Sequence, residues 1–69
     1  MMKYELFLVN GEYVTTFNSA WQFKEGEQVF FKDEKEQEKR NFSIVNITHD
    51  VFQKNEHVIH LYCQEKKVY

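Results

Sequence analysis

Apolar and polar residues alternate with a period of two along most of this chain, the spacing of a half-buried β-strand. The clearest stretch is residues 3–9 followed by 12–17, joined by Asn10-Gly11. Asn-Gly is the favoured filler of a two-residue type I′ turn, because both central positions need positive φ. Such a turn sets the register: Val9 faces Glu12, Leu8 faces Tyr13, Leu6 faces Thr15 and Tyr4 faces Phe17. One face then carries Tyr4, Leu6, Leu8, Tyr13, Thr15 and Phe17 and is assigned to the core. The other carries Lys3, Glu5, Phe7, Val9, Glu12, Val14 and Thr16, with Phe7 opposite Val14.

Further along, residues 18–27 read as a loop, and Gln28 to Lys32 as a short strand carrying Val29, Phe30 and Phe31. Residues 32–41 hold four Lys/Arg and four Asp/Glu, read as a solvated turn or a short helix with a Glu36–Arg40 pair. Phe42 to Val51 is the next strand. Its apolar set changes parity between Ile44 and Val45, which predicts a bulge near Val45 or a bend between two sheets. Residues 53–56 read as a hairpin turn, His57 to Gln64 as the last long strand, and Val68-Tyr69 as a short final edge strand. No segment holds the i, i+3, i+4, i+7 apolar spacing of a helix over three turns. The fold class is therefore all-β, with about five antiparallel strands forming a small barrel or a strongly bent sheet.

Length allows one domain, residues 1–69, with a thin core. The 17% aromatic content compensates, since each buried ring removes a large apolar area from water. Mean hydropathy is −0.69, and no apolar run is long enough for a membrane-spanning helix. Glu5 interrupts the first apolar residues, so no signal-peptide pattern is read and the expected compartment is the cytoplasm. The lone Cys63 agrees, because one cysteine makes no intrachain disulfide. Net charge is −2 and the pI about 5.9, with eight Lys and only Arg40. That balance disfavours nucleic acid as partner. The absence of Pro, the single Ala20 and the plentiful Lys, Glu, Phe and Asn fit an AT-rich coding bias, and hence a bacterial or phage source.

The segment Phe23-Lys24-Glu25-Gly26-Glu27-Gln28-Val29 resembles the lead-in to a strand in SH3-like barrels: an aromatic, two residues, Gly-Asp/Glu, any residue, Val. Three meandering strands follow it, over 28–32, 42–51 and 57–64, as in that family. The resemblance implies a small barrel that acts as a binding module for peptides, nucleic acids or modified side chains, without naming the ligand. Asn10-Gly11 makes a tighter first hairpin than the family usually has, and the acidic first loop of proline-ligand SH3 domains is missing.

Candidate chemistry is sparse. His57, His60 and Cys63 are spaced by three, which on a strand sends His60 to the opposite face. His57 and Cys63 share a face but lie about 20 Å apart at 3.3 Å per residue. A symmetric 53–56 turn would set His49 opposite His60, giving two candidate ligands where structural zinc wants four. No metal and no cofactor is therefore expected, and chelation should leave stability unchanged. Cys63 in an aliphatic strand reads as a small core residue. Ser19 and Ser43 have no acid-base partner the sequence can place, and His49 and Asp50 point to opposite faces as strand neighbours. Gly11 and Gly26 form no phosphate loop. The chain is read as no enzyme.

Aromatics remain. Trp21, Phe23, Tyr62 and Tyr69 are the candidate ligand-binding residues. Trp21 is read first as a lid buried over one end of the barrel and second as an exposed platform. The expected function is a non-enzymatic interaction or accessory domain with a protein partner and no membrane. One alternative is a nucleic-acid-binding barrel, which needs Lys24, Lys54, Lys66 and Lys67 on one face. Another is a structural homo-oligomer such as a homodimer, motivated by apolar residues on both strand faces.

Overall fold

The computed structural model describes residues 1–32, 39–52, 54 and 56–66. Five strands appear, β1 Met2–Leu8, β2 Tyr13–Ser19, β3 Gln28–Lys32, β4 Lys39–Val51 and β5 His57–Lys66. They form one sheet in the order β2-β1-β5-β4-β3, strongly curled into a half-barrel, so the all-β assignment holds. The strand bounds lie close to those read from alternation. One pairing differs from the antiparallel expectation: β1 and β5 run parallel, Tyr4 beside Ile59 and Leu6 beside Leu61. Alternation fixes the faces of each strand but carries no signal for pairing between the first and last strands, which no hairpin joins.

The curl stops short of closure. No Cα of β2 comes within 8 Å of one in β3. An apolar slot of about 190 Å³ separates these two edges, lined by Leu6, Thr15, Phe17, Val29, Phe30 and Phe31.

The first hairpin departs from the type I′ expectation in an instructive way. Gly11 N–H donates to the Leu8 carbonyl at 2.8 Å, and Leu8 N–H donates to the Glu12 carbonyl at 2.8 Å. The loop is therefore three residues long, Val9-Asn10-Gly11. Gly11 takes φ +94° at its end, and the Asn10 side chain accepts from Glu12 N–H at 2.9 Å. A third loop residue displaces the register by one, so Phe7 pairs with Tyr13. A bulge at Val14 restores it, and Leu6 pairs with Thr15 and Tyr4 with Phe17, as the alternation predicts. Between turn and bulge the faces invert. Tyr13 leaves the core side and packs edge-on against Phe7, ring centres 5.7 Å apart, while Val14 packs against the core.

The parity change in β4 is a bulge at Val45, between Ile44 opposite Cys63 and Asn46 opposite Tyr62. It keeps Phe42 and Ile44 on the inner face before it and Ile47 after it. The inner face holds the core: Tyr4, Leu6, Phe42, Ile44, Ile59, Leu61 and Cys63. Each large apolar side chain buried there stabilises the fold by about 1.5–3 kcal/mol.

Arg40 belongs to β4 and makes a two-pronged ion pair with Glu65 of β5, at 2.7 and 2.9 Å. Glu36, Val68 and Tyr69 lie outside the described residues, and with them the Glu36–Arg40 pair and the final edge strand.

Candidate functional site

The connection from β2 to β3 crosses one end of the half-barrel. Lys24 to Glu27 form a tight turn, with Glu27 N–H donating to the Lys24 carbonyl at 3.2 Å and Gly26 at φ +92°. Positive φ at the third turn position is the type II geometry, which glycine adopts without strain. The turn then joins the sheet. Gly26 N–H donates to the Ile44 carbonyl and Ile44 N–H to the Glu27 carbonyl, both at 2.9 Å. Val29 follows on the inner face, against the core. The residues that carry the SH3-like resemblance thus make a sharp turn followed by a half-buried valine.

Phe23 fills the end of the core. Its ring meets Tyr4 edge-on at 5.0 Å and Phe17 edge-on at 5.8 Å, while Tyr4 stacks on Phe17 at 5.4 Å. Trp21 does not share this role. It is 60% exposed, which overturns its reading as the lid. Strand phase reaches Phe23 through the inner face of Tyr4 and Phe17, whereas nothing in the loop turns Trp21 inward.

Although exposed, Trp21 is fixed at three points. Its N–H donates to Ser19 Oγ at 3.1 Å, and its carbonyl accepts from the buried Tyr4 hydroxyl at 2.6 Å. Its indole Nε1–H donates to Glu27 Oε2 at 3.2 Å, while Glu27 Oε1 accepts from Lys24 N–H at 2.6 Å. One carboxylate therefore holds both the indole and the backbone of the turn. Trp21, Gln22 and Lys24 line a shallow cavity of about 330 Å³. From sequence Ser19 was weighed only as a nucleophile and Glu27 only as part of the SH3-like lead-in, neither as a partner of Trp21. A carboxylate six residues after a loop tryptophan is the only signal that marks Glu27, and it is a weak one.

The other candidate aromatics are not brought here. Tyr62 sits on the outer face of β5, stacked on Phe7 at 5.6 Å and edge-on to His60 at 6.3 Å. Phe7, Tyr13, His60 and Tyr62 cover one another there. Tyr69 lies outside the described residues.

The histidines pair differently from the sequence expectation. Phe52 N–H donates to the Glu56 carbonyl at 2.8 Å, so the second hairpin closes one residue earlier than a 53–56 turn would. His49 then faces Ile59, and Thr48 faces His60. On the inner face His49 Nδ1 lies 2.9 Å from His57 Nε2. His60 points outward, its Nε2 3.2 Å from Glu5 Oε1 and its Nδ1 3.3 Å from Asp50 Oδ2. Two carboxylates flanking both ring nitrogens make it a tie between β1, β5 and β4. Among the described residues no group of three or more His, Cys, Asp or Glu is arranged to hold a metal ion.

The structure places each of the three residues weighed as nucleophiles. Cys63 is fully buried, and burial pushes its thiol up to about 11, the opposite of an activated thiolate. Ser19 is occupied as the acceptor for Trp21 N–H. Ser43 pairs with Gln28 between β4 and β3. Of the lysines weighed for nucleic acid, Lys54 precedes the ten-residue β5 and Lys66 ends it, and Lys67 lies outside the described residues.

No family model, curated protein or solved structure matches this chain. Among the described residues no helix is long and apolar enough to cross a membrane.

Proposed function

We propose that this domain is a non-enzymatic interaction module, and that the exposed, immobilised Trp21 is its anchor for a protein partner. The observation that carries the reading is the combination of 60% exposure with three hydrogen bonds holding one residue. An exposed tryptophan adds little to a small core, but a preorganised one loses little entropy on binding. Tryptophan is also among the residues that dominate interface energetics.

Chemistry of the platform favours a particular partner surface. Trp21, Gln22 and Lys24 offer an aromatic face, an amide and an ammonium, and the nearby Glu27 carboxylate is engaged by the indole and the turn. A segment that presents an apolar side chain next to an acidic residue matches it. A protein partner is favoured over nucleic acid because Lys54 and Lys66 lie at opposite ends of β5 and do not form a stripe with Lys24. The single cysteine, free of any disulfide, suits a reducing compartment, so we propose a cytoplasmic accessory domain of a bacterium or its phage.

The test is photo-crosslinking from Gln22, replaced by a photoreactive residue, in a bacterial extract, with and without Trp21→Ala. The reading expects one dominant protein adduct, mapped to an acidic-apolar segment, that disappears with Trp21→Ala while strand dichroism persists. A nucleic-acid adduct, or an adduct indifferent to Trp21→Ala, overturns it.

A further inference from the structure

The second hairpin brings His49 of β4 and His57 of β5 together on the inner face, at the end of the half-barrel where Phe23 sits. Their rings are tilted by 36° with centres 5.1 Å apart, and His49 Nδ1 lies 2.9 Å from His57 Nε2. Both residues are exposed, so an ion and its waters reach them. They border a cavity of about 310 Å³ whose floor includes Met2, Ile47 and Ile59.

We propose that His49 and His57 form a two-histidine chelate for a divalent late transition metal, copper or nickel. This goes beyond the interaction reading, since it uses neither Trp21 nor its hydrogen bonds. The first argument is geometric. Two metal–nitrogen bonds of about 2.0–2.1 Å meeting at a right angle set the nitrogens about 2.8–3.0 Å apart, whereas a tetrahedral angle sets them about 3.3–3.4 Å apart. The observed 2.9 Å is the ring-to-ring hydrogen bond of the metal-free pair, and it falls in the right-angle range, so rotation of the two exposed rings brings both lone pairs onto one ion at adjacent positions of a tetragonal site. Copper(II) and nickel(II) adopt that geometry, and imidazole suits both.

Ligand type supplies the second argument. The cavity wall contains Lys24 and no carboxylate. Calcium and magnesium ask for carboxylate and carbonyl oxygens, so they find no ligands here. The ion must be one that imidazole nitrogen binds for its own sake. Water completes the coordination.

Proton balance is simple. The facing nitrogens share one hydrogen in a ring-to-ring hydrogen bond. On coordination each nitrogen turns a lone pair to the metal, and the ring that carried the hydrogen takes its other tautomer, with the proton on the far nitrogen. No electron is transferred and no proton need leave the protein.

Coordination also reports the strand register. The two residues are eight apart in sequence and meet only because His49 faces Ile59 and Val51 faces His57. The chelate belongs to the folded hairpin, so saturating metal raises the melting temperature.

The experiment is calorimetric titration of the full chain with copper(II) or nickel(II) chloride, on wild type, His49→Ala, His57→Ala and His60→Ala, with strand dichroism checked for each. Holding the second ligand in place multiplies the affinity of the first by about a hundredfold, so His49→Ala and His57→Ala should each lose about that factor. His60→Ala, on the outer face, should bind one ion as wild type does. Metal should raise the melting temperature of wild type and His60→Ala only. Equal affinity in wild type and His57→Ala overturns the proposal, as does loss of binding in a folded His60→Ala. Trp21→Ala should bind metal normally, which separates this outcome from the fate of the interaction reading.

Discussion

The hydroxyl of Tyr4, buried in β1, donates to the main-chain carbonyl of Trp21 at 2.6 Å, and so ties an exposed loop to the centre of the core. Tyr4 is held in turn by Phe17 and Phe23 on two sides of its ring. The position of the Trp21 platform is thus inherited from core packing. Tyr4→Phe keeps the ring and removes only the donor. It should cost about 1 kcal/mol of stability, the net contribution of a typical hydrogen bond. Partner cross-linking at Gln22 should weaken with it, while the sheet stays intact by dichroism. A Tyr4→Phe protein with unchanged melting temperature would show that the loop is held by other means.

Gly11→Val should destabilise the domain by roughly 1–2 kcal/mol, the cost of forcing a residue with a Cβ into the left-handed region. Gly11 stands at φ +94°, and a Cβ there meets nothing within 4 Å, so strain and not collision is the cause. Gly11→Asn, which tolerates that conformation better, should lose less. Urea unfolding of the two variants measures the difference, and an order reversed from this one contradicts the loop geometry.

Much of this architecture was legible from alternation, and the exceptions have a common physical origin. Faces of β1 and β2 beyond the turn followed from period two, and the bulge at Val45 followed from the parity change after Ile44. Asn10-Gly11, however, serves a two-residue loop and the end of a three-residue loop equally well. The choice decides whether Tyr13 faces the core or the outer aromatic group. The second hairpin repeats the lesson: closing one residue earlier moves His49 from His60 to the side of His57. Loop length is set by backbone conformations that residue type constrains only weakly, and one residue inverts every partner. Trp21 was illegible for another reason. Its position rests on hydrogen bonds to Ser19, Tyr4 and Glu27, at separations of 2, 17 and 6 residues, and no periodicity encodes them.

Cys63 gives a pH signature. Burial raises its thiol from 9.0 to about 11, so the folded state holds a proton that the unfolded chain releases more easily. A group whose folded value is raised contributes its full stability below the unfolded value and loses it as pH climbs towards the folded one. Stability should therefore fall between about pH 9 and 11 through this group, and native Cys63 should resist thiol reagents at neutral pH. Cys63→Val, which fills the same inner position without a proton, should lose less stability over that interval. Identical alkaline profiles for the two proteins would contradict the assignment.

The most direct measurement compares the thermal stabilities of Trp21→Ala and Phe23→Ala. Phe23 closes the core against Tyr4 and Phe17, so its truncation should cost about 3 kcal/mol, a large share of the stability of a chain this short. Trp21 stands 60% exposed outside that packing, so its truncation should leave strand dichroism native and lower the melting temperature only slightly. It should remove partner binding nonetheless. Trp21→Ala unfolding at room temperature, with Phe23→Ala remaining folded, would make Trp21 the lid and remove the basis for reading it as an anchor.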